Sequence, residues 1–119
     1  MTREILDELT AIVRPGITTN DIDRFVHEYT AKRGAVSAPL NYKGFPKSVC
    51  TSLNEVVCHG IPDDTVLRDG DIINIDVTPI VDGYYGDASR MYPVGNVSTE
   101  ARRLMEVTKD CMELGIAQV

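Results

Sequence analysis

Ile72-Ile73-Asn74-Ile75-Asp76-Val77-Thr78-Pro79-Ile80-Val81-Asp82-Gly83-Tyr84-Tyr85-Gly86-Asp87-Ala88-Ser89 is the stretch whose reading decides the fold. Ile73, Ile75 and Val77 alternate with Asn74, Asp76 and Thr78, the two-residue period of a half-buried strand. Asp82-Gly83 is a strong two-residue hairpin turn. With that pair as the loop, Val81 faces Tyr84 and Asp76 faces Ser89. Asp87 then lies two residues from Ser89, on the face of Asp76 and diagonal to it. Diagonal cross-strand neighbours stand about 7–8 Å apart at Cα. Carboxylates converging from that distance can hold one or two hard or borderline cations. An acid on a polar strand face is more often simply solvated. Here, however, Asp76 interrupts an apolar, β-branched run that disfavours it, so a cation or donor is expected as partner. Pro79 signals an edge or a bulge, and a bulge would shift this register.

Working outward, Ile5, Leu9 and Ile12 mark a first amphipathic helix that runs to about Val13 and is broken by Pro15-Gly16. Thr18 and Thr19 start a second helix carrying Ile22, Phe25, Val26 and Tyr29, closed by Gly34. Strands are expected near residues 35–38, 48–52, 71–80 and 84–92. Ser98 is a candidate N-cap for a third helix, in which Leu104, Val107, Cys111 and Leu114 recur at helical spacing and Gly115 is a candidate stop. His27 falls among polar residues of the second helix and reads as surface. The sum is an α+β half-domain: an antiparallel sheet with helices packed on one side.

At 119 residues the chain allows one domain with a modest core. With 43% hydrophobic and 25% charged residues, it belongs among globular chains rather than disordered ones. Acids outnumber bases 18 to 12, and the net charge of −6 argues against nucleic acid or an anionic membrane as partner. No signal peptide or membrane-spanning run is visible. Three cysteines without zinc-finger spacing fit reduced thiols in a cytoplasm.

Four segments stand out together. They are Tyr42-Lys43-Gly44-Phe45-Pro46-Lys47-Ser48-Val49-Cys50-Thr51-Ser52, Asn54-Glu55-Val56-Val57-Cys58-His59-Gly60-Ile61-Pro62, Gly70-Asp71-Ile72-Ile73-Asn74-Ile75-Asp76-Val77 and Gly86-Asp87. Their order and spacing closely resemble type I methionine aminopeptidase, from about Pro15 to the end of the chain. The resemblance implies the pita-bread (creatinase/aminopeptidase-like) fold, a pseudo-twofold α/β domain of two similar halves, of which residues 1–119 would be the N-terminal one. It implies a metalloaminopeptidase hydrolase that removes the N-terminal methionine of nascent peptides with two divalent metal ions. A carboxylate-rich site suits manganese, cobalt, iron or zinc.

Matched position by position, Asp76 would bind one metal and Asp87 would bridge both. His59 matches a catalytic histidine outside the metal shell that positions substrate and stabilises the reaction intermediate, and it sits on a loop, where function concentrates. Tyr42, Phe45 and Cys50 match the pocket for the methionine side chain, where aromatic rings and a thiol favour a thioether. Pro39 departs from the family pattern, in which some members carry cysteine, and alters the pocket wall.

The resemblance also requires a histidine and two glutamates from a second half, which these residues do not supply. A fragment missing both ends is the expectation, inactive by itself and completed by the second half of the fold or by a second copy. The alternatives are a non-catalytic peptide-binding module and a self-pairing half-domain. Ile73, Ile75 and Val77 are the expected core face of the hairpin, and without a second half apolar surface is expected to lie open there, the third helix covering only part of the sheet.

Overall fold

The computed structural model describes residues 1–119. Two helices come first, α1 (Thr2–Ile12) and α2 (Thr19–Lys32). Ile5, Leu6 and Leu9 lie one helical turn or less apart and form the buried stripe of α1. Thr18 caps α2 through a reciprocal box. Its hydroxyl accepts the Asp21 N–H at 3.1 Å, and its own N–H donates to Asp21 Oδ2 at 2.8 Å. That N–H and the Thr18 hydroxyl, which also donates to Asp21 Oδ2 at 2.8 Å, hold the Asp21 carboxyl below the usual 3.8, the N–H contributing most.

Six strands follow: β1 (Val36–Ser37), β2 (Cys50–Leu53), β3 (Ile72–Val77), β4 (Pro79–Val81), β5 (Tyr84–Tyr85) and β6 (Ala88–Pro93). The final element is α3 (Thr99–Ile116). The hairpin register is the one the Asp-Gly turn dictates: Val81 pairs with Tyr84, and Asp76 with Ser89. Asp82 and Gly83 both have positive φ, 49° and 82°, the signature of the primed hairpin turn.

The arms of this hairpin are not single strands, as the sequence suggested, and they do not share one sheet. Their base pairs with β2 in the order β2-β3-β6, and their tip pairs with β1 in the order β1-β4-β5. The change of sheet falls at Thr78-Pro79. The Thr78 carbonyl turns to accept the Ala38 N–H at 2.8 Å, and the Pro79 carbonyl accepts the Gly86 N–H at 3.0 Å. No residue is inserted, so the side-chain alternation survives the switch. A proline suits this position because it has no N–H to contribute to a ladder.

The core lies between α1, α2 and one face of the β2-β3-β6 sheet. Here the structure corrects two expectations. Ile73, Ile75 and Val77 are not an open seam: they are 0%, 0% and 1% exposed, packed in one cluster with Ile5, Leu9, Ile22 and Val26. Nor does α3 shield the sheet by burying an apolar face. It is capped by Ser98, whose hydroxyl accepts the Ala101 N–H at 3.1 Å, and it runs through Gly115 to Ile116. Yet none of its side chains is buried, and Leu104, Val107, Met112, Leu114 and Ile116 all face solvent. Uncovered apolar surface therefore lies on this helix and not on the Ile73-Ile75-Val77 face. No helix is long and apolar enough to cross a membrane.

Candidate metal centre

Asp76 stands in the middle of β3, directly between Cys50 of β2 and Ser89 of β6. Because its neighbours Ile75 and Val77 point into the core, Asp76 points to the opposite face. That face is half-closed at this position. Asp76 Oδ1 is buried and receives no hydrogen bond from anywhere in the chain. Asp87 occupies the short link between β5 and β6, opposite Thr78, and is exposed. Thr78 Oγ1 donates to Asp87 Oδ1 at 3.1 Å.

The hairpin thus brings the two acids to one face, diagonal to each other. Burial raises the Asp76 pKa above the usual carboxylate range, and the neighbouring Asp87 carboxyl raises it further. The His59 imidazole opposes this weakly. An orphaned carboxylate oxygen beside a second carboxylate is an arrangement that a divalent cation would satisfy, and it fits metal ligation by the chemistry of its donors. No group of three or more His, Cys, Asp or Glu side chains gathers in the chain as a metal site. Asp76 and Asp87 stand as a pair, without a third such side chain beside them.

Two glycines shape the surroundings. Gly86 precedes Asp87, and a Cβ there would lie 2.5 Å from Thr2 Oγ1, whose hydroxyl donates to the Gly86 carbonyl at 2.8 Å. Glycine therefore lets the start of α1 abut the link that carries Asp87. Gly60 follows His59, and a Cβ there would lie 2.1 Å from the Thr51 carbonyl oxygen. The Thr51 N–H donates to the Gly60 carbonyl at 2.8 Å, and the Gly60 N–H donates to Ser52 Oγ at 3.2 Å. This contact fastens the His59 loop against β2. His59 itself has φ +56°, the left-handed region uncommon outside glycine, and its side chain is exposed.

Cys50 is buried on the Asp76 face, and burial, reinforced by the charge of Asp76, pushes its thiol up to about 11. It is a neutral, soft wall beside the acids. Phe45 is half-buried, while Tyr42, on a 3-10 turn, is 65% exposed. None of the three lines the hollow of about 270 Å³ that Thr19, Thr51, Gly60, Ile61 and Asp63 border. His27 is at the surface as expected, with its Nδ1 3.0 Å from Ser48 Oγ. Thr78 is the polar neighbour that the sequence reading passed over. The signal was in the register, since a residue opposite Asp87 follows from pairing Val81 with Tyr84.

The model of metallopeptidase family M24 matches residues 1–119. A methionine aminopeptidase of Rickettsia prowazekii is 56% identical over 116 residues, covering 98% of this chain and 45% of the relative. The crystal structure of methionine aminopeptidase from Rickettsia prowazekii superposes with a TM-score of 0.91 over 92% of this chain and 44% of that one. The methionine aminopeptidase structure from Thermotoga maritima, 34% identical, gives a TM-score of 0.93 over 97% of this chain and 47% of that one. The chain thus spans a little under half the length of these relatives, and its α+β architecture is half of their pita-bread fold. On a family match that runs from the first residue to the last, this chain belongs to metallopeptidase family M24.

Proposed function

We propose that residues 1–119 form the N-terminal half of a methionine aminopeptidase catalytic domain, contributing Asp76 and Asp87 to a site for two divalent metal ions. The observation that carries this reading is the buried, unpartnered Oδ1 of Asp76 beside a second carboxylate. A chain without metal chemistry would gain nothing from a half-buried acid whose proton affinity a second acid raises. The same cost weighs against a non-catalytic peptide-binding module.

Asp76 would hold one ion and Asp87 would bridge the pair. Bound there, the ions would supply a hydroxide near neutral pH and polarise the scissile carbonyl. His59, on its loop against β2, would orient the substrate amide. Cys50, Phe45 and Tyr42 would line the methionine side-chain pocket, with Pro39 shaping its wall. Substrates would be peptides bearing N-terminal methionine, met in the cytoplasm. The remaining ligands would come from a second half of the fold.

Comparing Asp87→Asn and His59→Ala in a protein with both halves tests these roles. Asp87→Asn should lose metal and methionine release together, by about 10³-fold or more in kcat. His59→Ala should keep its metal and lose about 10²-fold. Metal lost from His59→Ala but retained by Asp87→Asn would contradict the assignment.

A further inference from the structure

We propose that Thr78 is a positioning residue for Asp87, its hydroxyl fixing the carboxylate for metal ligation; the inference rests on the acid-pair reading above. Thr78 ends the polar series Asn74, Asp76, Thr78 on the site face, directly across the hairpin from Asp87. Its backbone is pinned at the point where the arms change sheets, through the bonds from Ala38 N–H to the Thr78 carbonyl and from Gly86 N–H to the Pro79 carbonyl. A β-branched side chain on a pinned backbone has little rotamer freedom. The hydroxyl is therefore a fixed donor.

Asp87 is placed very differently. It is exposed, lies in the link between β5 and β6, and receives its one side-chain hydrogen bond from Thr78, at 3.1 Å. Without that bond its side chain would be free to rotate, and binding a cation would require freezing it. Burial orients Asp76, whereas a donated hydrogen bond orients Asp87. Groups outside the ligand set that hold a ligand in this way typically contribute 10–100-fold to metal affinity.

Valine in place of threonine keeps the shape and removes the donor, and serine keeps the donor. The test is a Mn²⁺ titration of a protein with both halves, read from paramagnetic broadening of the Ser89 and Val77 amide signals, for wild type, Thr78→Val, Thr78→Ser and Asp87→Asn. Thr78→Val should weaken Mn²⁺ binding about tenfold, Thr78→Ser should stay within about twofold of wild type, and Asp87→Asn should abolish local broadening. Unchanged affinity in Thr78→Val alongside loss in Asp87→Asn overturns the positioning role and leaves the acid pair standing. Equal weakening in the serine and valine variants overturns it too, by assigning the effect to methyl packing. Wild-type signals that never broaden overturn both readings.

Discussion

One strand, β3, carries fully enclosed side chains on one face and an uncompensated carboxylate on the other. On one face Ile73, Ile75 and Val77 are sealed into the cluster formed with α1 and α2. On the other, Asn74, Asp76 and Thr78 are half-buried, and Asp76 keeps an oxygen without a partner. The alternation that builds the core thus also delivers the acids to the opposite face. The first face stabilises the fold, and the second carries an electrostatic cost that packing does not repay. A second contrast runs along the helices. α1 buries its stripe of Ile5, Leu6 and Leu9, whereas α3, with an apolar stripe of its own, buries nothing.

The largest effect should come from the sealed face. Ile75→Ala opens a cavity at a fully buried position and should cost about 2–5 kcal/mol, read as a lower urea midpoint at unchanged slope. A loss below 1 kcal/mol, roughly that of an exposed site, would mean that the closed face is not the core.

A smaller effect belongs to the cap of α2. Thr18→Ala should cost about 1 kcal/mol. It should also flatten the acid limb of the stability curve slightly, because alanine removes the hydroxyl bond to the Asp21 carboxylate and keeps the stronger N–H bond. Asp21 is held below the usual carboxylate value by Thr18, and Asp63 by Thr65. Depressed carboxylates add stability that is present above about pH 4 and is lost as pH falls through their folded values. Melting temperatures recorded from pH 5 down to pH 2 should fall less steeply in Thr18→Ala than in wild type. Parallel curves would remove the box from the account.

The smallest change is expected on α3. Leu104→Ala and Leu114→Ala should alter stability by less than about 0.5 kcal/mol, because both side chains are already exposed. A loss of 2 kcal/mol or more, in the range of a buried leucine, would show that in solution the helix is covered and that the contrast with α1 is false.

What was legible in the sequence was local. The Asp-Gly turn and the period of two were enough to place Asp76 opposite Ser89, and Thr18 and Ser98 announced their helices through capping chemistry. What was not legible depended on partners distant in sequence. Whether the hairpin stays in one sheet is decided by β1 and β2 alongside it, and nothing within residues 71–92 says where one gives way to the other. A helical stripe states that a face exists without naming what covers it, which is why α3 and the Ile73-Ile75-Val77 face were expected the wrong way round. Thr78 was missed because its contact is with a residue across the hairpin. The resemblance supplied roles for His59, Tyr42, Phe45 and Cys50, yet it gave no hint that Tyr42 stands largely in solvent in this half.

The central claim is that Asp76 is a carboxylate held at a cost for a cation, and Asp76→Asn melted with and without Mn²⁺ tests it most directly. Removing the charge relieves both desolvation and the repulsion from Asp87, so without metal the variant should melt above wild type. With Mn²⁺ at about ten times its dissociation constant, wild type should gain about 1.4 kcal/mol and the variant almost nothing. A variant that melts below wild type without metal, or that gains as much from Mn²⁺, would contradict the account.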